Sequence, residues 1–181
     1  MLKRIQIIFF LLFPSCSNNE DNNLSWVNIL MPNQQNTQSH TYVYNFEDGY
    51  FESEWDFDGF ASWFVTSEQA SESTFSARSG YISDDMYTDL ILTIQATPNH
   101  SLILKFDKFI SSEQCCDHLR LYINGSLHES WSGTSDEWTN EVIPYDVGSS
   151  NSIELKWRYV KDGSVTTGSD CVYIDNIEIE V

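Results

Sequence analysis

Strict two-residue alternation constrains this chain more than any other feature. Between Ser152 and Val160, Ile153, Leu155, Trp157 and Tyr159 occupy one face, and Glu154, Lys156 and Arg158 the other. Successive side chains of an extended strand point to opposite sides of a sheet, so this pattern predicts a half-buried strand. Leu102, Leu104 and Phe106 alternate in the same way with Lys105, and Leu119, Leu121 and Ile123 with Arg120 and Tyr122. A polar turn over 161–170 leads to a closing strand, Cys171–Val181, which carries a cysteine and a carboxylate, Asp175, among apolar residues. No window supports a long amphipathic helix.

Strand segments recur between short turns. They are expected at Thr41–Phe46, Ala61–Ser67, Ser79–Ile82, Thr88–Ala96, His100–Ser111, His118–Asn124, Ser126–Trp131, Glu137–Ile143, Ser152–Val160 and Cys171–Val181. Asn124-Gly125 separates two alternating runs and predicts a two-residue hairpin, because both residues accept positive φ. About ten short strands joined by Gly, Ser and Asp turns imply an all-β fold, a two-sheet antiparallel sandwich. The domain spans residues 41–181 and is of ordinary size.

The N-terminus has a different character. Lys3 and Arg4 precede an apolar run, Ile5 to Phe13, broken only by Gln6. A charged start and a short apolar stretch predict a secretory signal over residues 1–15. The run is too short to span a membrane, which takes about 20 apolar residues. Ser15 before Cys16 resembles the lipobox of bacterial lipoproteins, whose cysteine is lipid-modified after cleavage. Ser17-Asn-Asn-Glu-Asp21 resembles the export signal of Bacteroidota surface lipoproteins. The expectation is lipidation at Cys16, display on the cell outer membrane, and membrane contact through that lipid anchor alone. Ordinary secretion, with Cys16 in a disulfide, is the alternative. Residues 16–40 are rich in Asn, Gln and Ser and predict a flexible tether.

Removing the signal leaves seven basic side chains against 27 acidic ones, a balance of −20. No nucleic acid is expected as partner, since phosphates need a basic face. An acidic surface of this kind suits a soluble domain or one that holds divalent cations.

The segment from Trp157 to Ile177, with Asp170-Cys-Val-Tyr-Ile-Asp175 at its centre, resembles the C-terminal signature of bacterial MAM-like jelly-roll domains. Phe46-Glu-Asp-Gly49, Trp63-Phe-Val65, Ser76 to Ser83, Ser111 to Gly125, Ser132-Gly133 and Trp138 precede it in the family's order. The resemblance covers residues 44–181. It implies a concanavalin-A-like jelly roll used for adhesion or recognition, similar in architecture to gingipain-type adhesin modules. It also implies a structural calcium where the first and last strands meet. Asp175 would hold it together with Glu47 or Asp48 from the first strand and Asp84 or Asp85 from a neighbouring turn. Simple alternation places Asp175 inward, where a carboxylate needs a partner. The alternative is a carboxylate that accepts backbone N–H groups at a strand bulge.

Vicinal cysteines are poorly disposed to bridge each other. The expected disulfide therefore joins Cys171 to Cys116, with Cys115 as the alternative to Cys116. It would close a loop of roughly 55 residues and contribute about 2–4 kcal/mol. Otherwise the three thiols are reduced. These cysteines and His118 match no familiar zinc spacing. Among the aromatics, Trp63 and Trp157 are expected in the core. Trp55, Trp131 and Trp138 lie near turns. Trp131, flanked by Ser130, Ser132 and Gly133, is the candidate ligand platform.

Catalysis finds little support. His40, His100, His118 and His128 lie in no triad context, and no Gly-x-Ser-x-Gly elbow is present. Glu178 and Glu180 alternate with apolar neighbours and are expected to face solvent. The Glu52, Glu54 and Asp56 cluster is expected in an irregular acidic loop, so it does not reproduce the acid–x–acid strand motif of laminarinase-type enzymes. The expected function is non-catalytic, extracellular recognition of a glycan or protein. A structural subunit of a cell-envelope complex is the alternative, and a glycoside hydrolase ranks behind both.

Overall fold

Each long alternating run becomes a strand with its apolar side turned inward. The computed structural model describes residues 39–181. The signal, Cys16 and nearly all of the tether lie outside the described residues. The strands are β1 (Thr41–Tyr44), β2 (Trp55–Gly59), β3 (Phe64–Thr66), β4 (Ser76–Arg78), β5 (Tyr87–Gln95) and β6 (Ser101–Ser111). They continue with β7 (His118–Ile123), β8 (Ser126–Ser132), β9 (Thr139–Asp146), β10 (Ser152–Val160) and β11 (Cys171–Glu180). No helix occurs among the described residues. One sheet has the order β3-β4-β11-β6-β9, with β1 also paired to β11. The other has the order β2-β5-β10-β7-β8. All ladders are antiparallel, so the fold is the expected two-sheet jelly-roll sandwich.

The core lies between the sheets. Leu90, Leu92, Leu121, Leu155 and Trp157 face Leu104, Phe106, Ile174, Ile177 and Ile179, and all ten are fully buried. Each such side chain contributes about 1.5–3 kcal/mol through removal from water. Trp157 meets Phe106 edge-on at 5.7 Å, which ties the middle of one sheet to the other. In the hairpin turn, Asn124 and Gly125 take φ of 49° and 76°, as their side chains allow.

Two strand assignments change. The segment 55–59, absent from the expected strands, is the edge strand β2. Its Trp55 packs into the core against Tyr44 and Trp157 while Asp56 and Asp58 point outward. The fourth strand lies at Ser76–Arg78 rather than Ser79–Ile82.

A bulge in β11 corrects the reading of Asp175. Asp175 pairs with Asp107 and Glu178 with Lys105, so β11 has one extra residue, with Asn176 at φ 48°. The bulge reverses the alternation. Val172 and Ile174 point inward before it, and Ile177 and Ile179 after it. Cys171, Tyr173 and Asp175 therefore share the outer face of the sheet. They are buried there because the 68–75 segment folds over them.

The cysteines also depart from expectation. Cys115 and Cys116 bridge each other, with Cα atoms 3.7 Å apart, and Cys171 is a buried free thiol. They lie in the 113–117 loop, outside any strand. Cys171 points instead to the outer face, beside Arg78 and Tyr173, and burial raises its pKa. Alkylation under denaturing, non-reducing conditions is therefore expected to label Cys171, with Cys115 and Cys116 linked in one peptide. A peptide joining Cys171 to either of them would contradict this arrangement.

Candidate functional site

The outer face of the β2-β5-β10-β7-β8 sheet gathers chemistry that the alternation scatters along the chain. Cross-strand partners share a face. Register places Asp89, Arg158, Arg120 and Ser130 in one row across β5, β10, β7 and β8. The next row holds Ile91, Lys156 and Tyr122, and on the other side lies Tyr87, Val160 and His118. Three of the seven basic side chains beyond the N-terminus thus meet on one sheet face of a strongly acidic protein.

Arg158 anchors this face. Its Nε and Nη2 each donate to a carboxylate oxygen of Asp89 at 2.7 Å, a bidentate pair with fully buried Asp89. The guanidinium lies 3.9 Å from the centroid of the Tyr87 ring and 5.6 Å from that of Tyr122. The Asp89 hydrogen bonds hold its pKa above the ordinary value, against the opposing effect of burial. Lys156 Nζ sits 5.1 Å over Tyr122, and exposed Phe60 meets Tyr87 edge-on. Among the described residues, neither Arg120 nor Lys156 enters a salt bridge. Burial and the Arg120 charge lower the pKa of His118, whose Nδ1 lies 3.2 Å from Ser130 Oγ. The formal positive charge of this face comes from Arg120, Lys156 and Arg158.

The face offers half-buried tyrosine rings beside cationic donors. Such rings can stack on a sugar while the charged groups hydrogen-bond its hydroxyls or a carboxylate.

Trp131 does not belong to it. It pairs with inward-facing Leu119, packs edge-on against Phe106 at 5.8 Å, and closes the gap between the sheets. Lys108 covers it there, bound to Thr139 and to Glu141 at 2.9 Å. Trp131 is rim filler of the core.

Among the described residues, the five residues expected around calcium do not form one cluster. Glu47 Oε1 accepts from Ser73 Oγ and from the N–H groups of Thr74 and Phe75. Asp175 accepts from the N–H groups of Ser71 and Asn176. These two carboxylates hold the same 71–75 segment. Asp48 lines a shallow cleft with Val43, Tyr50 and Glu52. Asp85 faces Gly163, and Asp84 pairs with Lys161 at 3.0 Å, so both contact the 161–170 turn. Among the described residues, Asp175 has no cationic partner. Burial first, then Asp107 and Glu47, push its pKa up to about 6 against the pull of its two backbone hydrogen bonds. Asp175 is thus a buried carboxylate at a strand bulge whose hydrogen bonds come from two backbone N–H groups.

The residues of the sheet face that sequence reasoning passed over were visible as the outward halves of alternating runs. The missing information was the order β5-β10-β7, which brings distant halves together.

No family model matches the chain, and no curated protein matches it. Solved structures share its fold. The K1 cleaved adhesin domain of Lys-gingipain from Porphyromonas gingivalis aligns with a TM-score of 0.60 at 13% identity, covering 77% of this chain and 97% of that one. The xylan-binding CBM22-1 domain of Paenibacillus barcinonensis Xyn10C aligns with a TM-score of 0.54 at 15% identity, covering 76% and 91%. TmCBM61, solved with β-1,4-galactotriose, aligns with a TM-score of 0.55 at 16% identity, covering 75% and 92%.

Proposed function

We propose that this protein is a non-catalytic, MAM-like recognition module that binds an extracellular glycan on the outer face of β5, β10 and β7. The observation that carries this reading is the gathering of Tyr87, Tyr122, Arg120, Lys156 and Arg158 on one face of an acidic protein. The fold supports it as well, since a xylan-binding domain and a galactotriose-bound module share the architecture. In this reading Tyr122 stacks on a sugar ring, and Arg120 and Lys156 hold its polar groups. The Cys16 lipid anchor displays the domain at the outer membrane. A calcium ion held by Glu47 and Asp175 stiffens the junction between the first and last strands.

A glycan array probed with the protein tests the reading. Binding is expected, and Tyr122→Ala is expected to weaken it about ten-fold, the equivalent of roughly 1.4 kcal/mol. Wild-type affinity in that variant would move the site elsewhere.

A further inference from the structure

Glu113, Asp117 and Asp162 form a second acidic cluster, on the loop before β7 and the turn after β10. One ligand atom from each lies within 4.8 Å of the others. Asp117 is fully buried. Its Oδ1 accepts the Asp162 N–H at 3.0 Å, but its Oδ2 is buried without a hydrogen-bond partner. Glu113 Oε2 is buried and unpartnered in the same way. The other Glu113 oxygen faces the Cys115 sulfur at 3.3 Å, and that sulfur has no proton to donate within the disulfide. Native proteins leave few buried polar atoms unsatisfied, and two carboxylate oxygens in one cluster require a positive partner.

Among the described residues, no side chain supplies it. Lys161 lies close enough to favour ionised Asp117, yet it directs its ammonium to Asp84 and Asp170. Asp170 and Asp162 add further negative charge around Asp117. The donors are carboxylate oxygens, which suit a hard divalent ion. A zinc ion would seek thiolates, and the neighbouring sulfurs are bonded to each other.

We propose that Glu113, Asp117 and Asp162 bind a hard divalent cation, with calcium the best match. The ion fastens the 113–117 loop to the 161–170 turn, where β7 begins and β10 ends. This site is separate from the Glu47 and Asp175 pair.

Calcium titration of the protein by calorimetry, with terbium luminescence as a second readout, tests the assignment. Glu113→Gln and Asp162→Asn alter half-buried side chains, so they keep the test open if Asp117→Asn fails to fold. Each is expected to remove one calcium equivalent or weaken it at least ten-fold, while Asp175→Asn retains that equivalent. Wild-type stoichiometry and affinity in both Glu113→Gln and Asp162→Asn would overturn the proposal. So would a wild-type protein that binds no calcium at millimolar concentration.

Discussion

Replacing Arg158 by Ala is expected to lower stability by about 3 kcal/mol, the lower end of the range for breaking a buried ion pair. The reason lies in Asp89. It is fully buried, and both of its oxygens are held by the Arg158 guanidinium. Removing the cation leaves a buried carboxylate without a partner. Arg158 itself is about a quarter exposed, 24% by side chain, which keeps the expected loss at the lower end. The double variant Arg158→Leu with Asp89→Val is expected to recover much of the loss, because an apolar pair leaves no charge stranded. Urea denaturation of the two variants checks this. Equal stability of Arg158→Ala and wild type would contradict the role given to the pair.

The second large effect is a dependence on pH through Asp175. Its folded pKa is raised to about 6 from an unfolded value of 3.8, so the folded state holds the proton more tightly. The sign follows from linkage: the charged form costs stability above pH 6, and the cost fades as pH falls through that value towards 4. Two units correspond to about 3 kcal/mol. Neighbouring carboxylates act in the opposite sense. Hydrogen bonds led by Ser73 lower the pKa of Glu47. For Asp107, burial is outweighed by hydrogen bonds from Ser71, Asn140 and Asn176, and its pKa is lowered too. Both groups lose their contribution as pH falls below the ordinary carboxylate range.

Comparison with Asp175→Asn isolates the one group. In chelator, wild-type stability relative to Asp175→Asn is expected to rise by up to about 3 kcal/mol between pH 7 and pH 4. A difference that stays flat, or falls, would contradict the environment assigned to Asp175. Calcium at pH 7 is expected to raise the wild-type melting temperature more than that of Asp175→Asn, through ligand linkage.

The residues that were legible in the sequence are those whose environment is set locally. Leu155 and Trp157 announce a buried strand face by alternation, and Asn124-Gly125 announces a hairpin by its tolerance of positive φ. Asp175 was legible only as an anomaly. Its placement depends on one extra residue in β11, and the switch from Val172 and Ile174 to Ile177 and Ile179 is obscured by Cys171 and Tyr173, which fill the other face before the bulge. Trp131 shows the same limit: polar neighbours suggest exposure, yet pairing with Leu119 turns the ring inward. This face was hidden for a topological reason. Tyr87, Arg120 and Arg158 lie on three strands made adjacent by the sheet order, and nothing near each residue reveals that neighbourhood.

The disulfide followed similar logic. A bridge from Cys171 to Cys116 rested on vicinal cysteines being poorly disposed to bridge each other. The chain leaves the sheet after Ser111 and re-enters it at His118, so Cys115 and Cys116 fall in a loop that can close on itself.

Glycan binding by the outer face of β5, β10 and β7 is the central claim, and titration of a glycan taken from the array tests it most directly. The wild-type protein should bind it, while Tyr122→Ala and Lys156→Ala, both folded by circular dichroism, should each bind about ten-fold more weakly. Undiminished affinity in both variants would contradict the account.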